Sequence, residues 1–139
     1  MKEEGGLEVS HHLRQIRVEG LPAPMGHYSD AVLAGNTLYT AATAHDQTGA
    51  MQGVGDVAEQ SRAMFENLGR VLAAVGCGPG DVAKLTVYMV DVNERAKMNA
   101  ARQEFFGEHR PASALVQVSG LVHPDVLIEV DAVAVLPSR

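Results

Sequence analysis

The sequence predicts an α+β domain in which a mixed β-sheet carries two helices on one face. First, 139 residues with 46% hydrophobic content are enough for one compact core. Second, the hydrophobic periodicity changes along the chain in the order β-β-β-α-β-α-β-β. Third, the final segment, residues 126–136 (VLIEVDAVAVL), is apolar on both faces of a strand. We therefore assign residues 13–139 to a single domain and residues 1–12 to an N-terminal tail.

The first half of the chain supplies three strands and one helix. Residues 13–18 and 31–42 have strand patterns, and Gly35-Asn36 interrupts the second as a hairpin turn would. Apolar residues recur at helical spacing from Asp56 onward, which predicts the first helix. Asp56 and Glu59 resemble a capping box at its start, and Gly76 is a typical stop.

The second half supplies the second helix and three strands. Residues 84–90 alternate as a strand, and Asn93 is placed to cap a helix that ends at Gly107. Residues 114–118 and 126–136 then predict the last two strands. Strands joined through a helix prefer to run parallel with right-handed crossovers, so both helices are expected on the same face of the sheet.

The last strand also predicts how the protein assembles. Its residues Ile128, Val130, Ala132 and Ala134 form one apolar face, while the other face carries two carboxylates in its middle, Glu129 and Asp131. Only one face can meet the helices, so we expect the other to be buried against another copy of the chain. The alternative is a monomer that tolerates exposed apolar surface. A buried carboxylate is costly without partners and is therefore a candidate site residue.

Composition argues against several classes of partner. The net charge is −6 and the Lys and Arg residues are scattered, which disfavours nucleic acid or an anionic membrane surface. No apolar run approaches the length of a membrane span, and the charged start MKEEGGLEVSHH disfavours an export signal. The single cysteine, Cys77, suits a reducing compartment, so we expect a cytoplasmic protein. The six histidines show no metal-ligand spacing, and no metal site is expected.

Several segments resemble the RidA/YjgF family of enamine and imine deaminases, from about residue 16 to residue 135. IEVDAVAV is close to the family's ending IEIEAIAV, and APMGHYSDAV is similar to its AIGPYSQAV. FENLGRVLAAVGCGPGDVAKLTVYMVDVNE and MNAARQEFFGEH resemble its helix-turn-strand segment and its second helix. The resemblance implies a chorismate-mutase-like fold assembled as a homotrimer with three clefts between subunits. It also implies hydrolysis of 2-aminoacrylate and similar enamines or imines to a keto acid and ammonia, without a cofactor.

The resemblance places three site residues of the family on matching positions. The family's cleft tyrosine falls on Tyr28, its helix asparagine on Asn99 and its water-holding glutamate on Glu129. In a cleft of low polarity the pKa of Glu129 would rise, which suits a group that holds water and moves protons. Plainer interpretations are a Glu129 paired with backbone N–H groups or a partner's arginine, and a Tyr28 packed under its loop. His27 and His123 flank the expected cleft in sequence and are further acid/base candidates.

The positions that hold the substrate in the family differ here. The signature arginine falls on Ser113 of PASALV, a Ser-Gly pair on Ala41-Ala42, and a nearby cysteine on Leu115. A serine hydroxyl is a single neutral donor where a guanidinium makes paired, charge-assisted hydrogen bonds, so we expect an α-carboxylate to bind weakly. Arg110 is the first candidate to replace the lost charge, although strand alternation disfavours it.

Two functions from different classes follow. The first is a RidA-like enamine or imine hydrolase, or an enzyme of related hydration or proton-transfer chemistry, with an altered cleft. In it Glu129 positions water, Asn99 and Tyr28 orient an imine, enamine or carbonyl substrate, and backbone N–H groups near residues 115–117 receive its oxygen. The expected substrate contacts are Ser113, Leu115, Ala42, Arg110 and His123. The second is a non-catalytic trimer that binds a metabolite or a protein in the same cleft.

Overall fold

A computed structural model of the chain describes residues 12–138, so the expected tail lies outside the described residues except for its last position. Within this range six strands and two α-helices follow one another in the predicted order. The strands are β1 (Leu13–Ile16), β2 (Ala31–Ala34), β3 (Thr37–Ala42), β4 (Val82–Met89), β5 (Ala112–Gln117) and β6 (Ile128–Val135). The helices are α1 (Val57–Ala74) and α2 (Arg95–Phe106).

The strands form one mixed sheet in the order β1-β2-β3-β6-β4-β5. Strands β4 and β5 run parallel and are joined through α2, whereas every other neighbouring pair is antiparallel. The last strand, β6, inserts between β3 and β4, which places the two faces of its sequence at the centre of the sheet. The predicted mixed sheet is confirmed.

The hydrophobic core lies between the sheet and the helices. All four side chains that β6 was expected to turn towards the helices are buried, and α1 packs against β3, β6 and α2. Phe65 of α1 stacks on Phe105 of α2 with 5.3 Å between ring centroids, and it meets Phe106 edge-on at 5.9 Å. Aromatic rings bury large areas in such clusters, so these three rings hold α2 against α1.

The helix starts differ in how well the sequence predicted them. Asp56 caps α1 as expected, because its carboxylate accepts a hydrogen bond from the Glu59 backbone N–H at 3.1 Å. The prediction that Asn93 caps the second helix is wrong. Asp91 accepts from the Asn93 N–H at 2.9 Å and starts a short 3₁₀ turn, and α2 begins only at Arg95.

The first strand ends two residues earlier than expected, because the side chain of Asp30 binds the next two residues, Arg17 and Val18. Its carboxylate accepts a hydrogen bond from the Val18 N–H at 2.8 Å and pairs with Arg17 at 2.6 Å. The Asp30 carbonyl also accepts from the Thr40 hydroxyl at 2.7 Å. These bonds tie the loop before β2 to β3, and this loop carries part of the site described below.

The face of the sheet away from the helices is left open within residues 12–138. Tyr39 on β3, Val116 on β5 and Val135 on β6 lie on this face, and each is at least 40% exposed. Neither α1 nor α2 is long and apolar enough to cross a membrane, among the residues described. The open face is where the sequence placed Glu129 and Asp131.

Candidate active site

The two carboxylates of β6 have different surroundings. Asp131 accepts a hydrogen bond from the Tyr88 hydroxyl of β4 at 2.9 Å, which is a structural contact. Glu129 is half-buried, and within residues 12–138 its carboxylate accepts no hydrogen bond. Burial, and to a smaller degree the neighbouring Asp131 charge, raise the pKa of Glu129. Glu129 is therefore the carboxylate that is available for proton transfer.

The side chain of Glu129 lines a cavity of about 460 Å³, which we call the Glu129 cavity. Tyr28 and Ala42, both expected at the site, line it as well. Tyr28 is 57% exposed, and its hydroxyl accepts a hydrogen bond from the Met25 N–H at 3.2 Å. The Tyr28 hydroxyl thus has a partner within its own loop, while the exposed ring borders the cavity.

A histidine pair adjoins the same cavity. His45, which lines the cavity and is 2% exposed, has its Nε2 2.9 Å from Nε2 of His123. Its Nδ1 lies 2.6 Å from the Thr43 hydroxyl, and its carbonyl accepts a hydrogen bond from the Asn67 side chain at 2.8 Å. Burial, and then the nearby His123, lower the pKa of His45, so it is neutral at pH 7. A neutral imidazole has one nitrogen that donates and one that accepts, so the Nε2 of His45 takes one of these two roles towards His123.

A second cavity of about 480 Å³, the Ser113 cavity, holds another group of expected site residues. Asn99 of α2, Ser113 of β5 and Arg110 line it together. Arg110 is exposed and makes no hydrogen bond to Ser113 within the described chain. The Ser113 hydroxyl accepts instead from Arg102 of α2, at 2.9 Å. A cation other than the expected Arg110 therefore lies beside position 113.

The two groups of residues do not meet within one chain. Strand pairing aligns Glu129 with Tyr88 and Tyr88 with Val116, so these side chains share the open face. Ser113 is aligned with Leu85, which is fully buried on the helix side of the sheet. Side chains of paired residues point to the same face of a sheet, so Glu129 and Ser113 point to opposite faces.

Three further residues that the sequence suggested for the site line neither cavity. Leu115 of β5 is half-buried and packs against the hydrophobic core. His27 is exposed and lines neither cavity, whereas His123 contacts His45 as described. Within residues 12–138 no three His, Cys, Asp or Glu side chains are grouped to hold a metal ion.

Two residues of these cavities escaped sequence reasoning. Arg102 stands three positions after Asn99, and this helical spacing places both side chains on one face of α2. His45 follows β3 in the apolar run AATAH, which was a signal for a buried histidine. Its partner His123 lies 78 positions away, and no local pattern predicts that contact.

Comparison with known proteins identifies the fold and the family. TdcF of Escherichia coli, solved with bound serine, matches with a TM-score of 0.81 and 32% identity over 89% of this chain and 99% of TdcF. The structure therefore has the chorismate-mutase-like α+β fold of RidA-like proteins. The family described as endoribonuclease L-PSP matches residues 19–136, and the chain belongs to this family, the RidA/YjgF family that its motifs resemble.

Curated relatives cover nearly the whole domain. A RutC family protein of Pyrococcus horikoshii is 44% identical over 121 residues, which are 86% of this chain and 94% of the relative. A 2-iminobutanoate/2-iminopropanoate deaminase of Escherichia coli is 36% identical over 127 residues, 88% of this chain and 97% of the deaminase. A RidA-like function in the broad sense is thereby supported.

Proposed function

We propose that this protein is a cofactor-independent enamine/imine deaminase-like hydrolase whose substrate cleft differs from that of its relatives. The observation that carries the proposal is Glu129, a carboxyl group of raised pKa beside a cavity of about 460 Å³. A 36% identical relative is a 2-iminobutanoate/2-iminopropanoate deaminase, and hydrolysis of a small imine needs a group of this kind. The net charge of −6 disfavours RNA as a substrate.

The chemistry we assign to Glu129 is proton transfer during addition of water. Water attacks the imine carbon, one of its protons passes to the Glu129 carboxylate, and Glu129 returns this proton to the nitrogen to give a carbinolamine. The proton of the new hydroxyl group then passes to the nitrogen by the same route. The carbon–nitrogen bond then breaks, so that imine and water become a keto compound and ammonia. A carboxylate whose pKa is raised is a stronger base than an ordinary glutamate, so it accepts the proton more readily before returning it. Tyr28 and Asn99 would orient the substrate.

The proposal includes a site between subunits of a cytoplasmic homotrimer. Glu129 and Tyr28 border one cavity, Asn99 and Ser113 border the other, and Glu129 and Ser113 point to opposite faces of the sheet. A second copy that placed its Ser113 cavity against the Glu129 cavity would unite them. The open sheet face, with Tyr39 half exposed, supports a partner copy.

Turnover of imines tests the function. An amino-acid oxidase supplies imines that carry a carboxylate, an amine oxidase supplies imines that lack one, and ammonia release is followed in both. We expect wild-type protein to accelerate hydrolysis of at least one class and Glu129→Gln to lower kcat at least about 100-fold. If neither class is hydrolysed while a substrate analogue still protects against unfolding, the protein is the non-catalytic binder instead.

Mixing two variants tests the site between subunits. Glu129→Gln inactivates one side of the cleft and Asn99→Ala the other, and the two chains are unfolded and refolded together. Averaged over all trimers that form from an equal mixture, about a quarter of the clefts then combine two intact sides, so activity returns to about that level. Activity that stays absent after mixing would show that both residues act within one chain.

A further inference from the structure

Arg102 is a half-buried cation that has no acidic partner in the described chain. Its guanidinium donates to Ser113 Oγ at 2.9 Å and to Asn99 Oδ1 at 2.7 Å, and both are neutral acceptors. None of the salt bridges formed among residues 12–138 includes it. A guanidinium has five N–H donors, so most of its donors are left for another ligand.

The surroundings of Arg102 favour an anion. The Ser113 cavity is lined by Arg102, Arg110 and His109 and by no Asp or Glu. This cavity is thus electropositive although the whole chain has a net charge of −6. A concave site lined by one sign of charge concentrates ligands of the opposite sign.

The guanidinium is also held in place. Asn99 and Arg102 are three positions apart on α2, and the Asn99 side chain accepts from one guanidinium nitrogen while Ser113 accepts from the other. Two neutral acceptors orient the group without neutralising its charge. A planar guanidinium oriented in this way suits paired hydrogen bonds to a carboxylate.

We infer that Arg102 of α2 binds the carboxylate of the substrate. It thereby supplies the cation that Ser113 of β5 cannot supply. This inference rests on the proposed function for the identity of the site, and it names the substrate class as imino or enamino acids. Asn99 and Ser113 are then positioning residues for the guanidinium. Arg110 remains a rim residue of the same cavity.

Binding of 2-oxobutanoate, a stable keto acid of the product type, tests the inference without any need for turnover. Affinity is measured by NMR titration of the assembled protein, with butanone as the neutral analogue. We expect Arg102→Gln to weaken 2-oxobutanoate binding at least about tenfold and to leave butanone binding unchanged. Arg95→Gln, which removes an exposed charge from the same helix outside both cavities, serves as the matched control and changes affinity less than about threefold.

A second variant shows whether Arg102 binds the carboxylate directly or only maintains the local structure. Arg102→Gln combined with Ser113→Arg returns a guanidinium to the cleft from the strand, and we expect it to recover most of the lost affinity. Unchanged binding in Arg102→Gln, equal losses in Arg95→Gln, or no binding to wild-type protein would each overturn the inference. If 2-oxobutanoate binding depends on Arg102 but no imine is hydrolysed, the proposed hydrolase function is wrong and the inference about Arg102 still holds.

Discussion

Glu129 and Asp131 lie two positions apart on β6, yet only Glu129 is suited to proton transfer. Tyr88 donates a hydrogen bond to Asp131, whereas the Glu129 carboxylate is partly desolvated without such a donor in the described chain. The pKa of Glu129 therefore stays raised because no hydrogen-bond donor of the described chain stabilises its charge. The same property makes its ionised form unfavourable in the folded protein.

Glu129→Gln should stabilise the protein at neutral pH. Because the pKa of Glu129 is raised in the folded state, the stability that it contributes is present at acid pH and is lost as the pH rises through that pKa. Glutamine removes the ionised form, so the free energy of unfolding rises at pH 7, by less than about 1 kcal/mol since the group is partly solvated. Urea unfolding at pH 7 and pH 4 measures this gain, which should shrink at pH 4. A variant less stable at pH 7 would show that a partner stabilises the Glu129 charge.

His45 should make the protein less stable as the pH falls. Burial lowers the pKa of His45 below its usual 6.5, so below that pH the unfolded chain binds more protons and stability declines. His45→Gln removes this titration, and we expect a smaller loss of unfolding free energy between pH 7 and pH 5 than in wild type. His27→Gln, at an exposed histidine, is the control and should retain the wild-type slope. Equal slopes in all three proteins would exclude His45 as the source of acid sensitivity.

Gln60 of α1 joins the helix to two loops around the Glu129 cavity. It is fully buried, and its amide nitrogen donates to the carbonyls of Gly53 at 3.2 Å and Asp125 at 3.0 Å. Its amide oxygen accepts from the Leu127 N–H at 2.6 Å. Gly53 has φ +72°, and a Cβ there would lie 2.6 Å from the Gln60 backbone nitrogen, so the close approach requires glycine.

Gln60→Leu should destabilise the protein by about 3 kcal/mol, because it leaves three backbone groups of partly buried hydrogen bonds without their partner. The loss also frees the segment that carries His123, so exchange of the Leu127 amide should quicken. Urea unfolding and hydrogen exchange measure the two effects. Glu66→Leu, on the exposed side of the same helix, should change stability by no more than about 0.5 kcal/mol. A similar small effect in Gln60→Leu would mean that water replaces the side chain.

The whole molecule leaves one face of its sheet uncovered and divides the expected site residues between two cavities. Both features find one explanation in assembly, since a partner copy would cover Tyr39 and unite Glu129 with Asn99. Interfaces that persist on dilution bury apolar side chains, and the open face exposes three large ones, Tyr39, Val116 and Val135.

Light scattering at micromolar concentration should give three times the chain mass of 14.7 kDa. Tyr39→Lys places a charge on the open face and should shift the protein towards monomer. Val54→Lys, at a valine that is 59% exposed and outside the sheet, should keep the trimer. A wild-type mass of one chain would refute the trimer and the site between subunits together.

The order of strands and helices, the α1 cap at Asp56 and the face on which Glu129 lies were all predictable from the sequence. These features depend on side-chain periodicity and on hydrogen bonds between residues a few positions apart, which the local sequence encodes. The motifs of the final strand were specific enough to indicate the family as well. The sequence also showed a serine, Ser113, at the position where the resemblance expects an arginine, but it did not show that Arg102 lies beside this serine.

Only the tertiary structure decided which residues face one another across the chain. The packing of α2 beside β5 places Arg102 on Ser113, and the loop before β6 brings His123 to His45. The register of β5 on β4 turns Ser113 away from the face of Glu129. Such contacts depend on how whole helices and strands pack together. A shift of one residue in strand register would move every side chain of that strand to the opposite face of the sheet. No local pattern in the sequence carries that information.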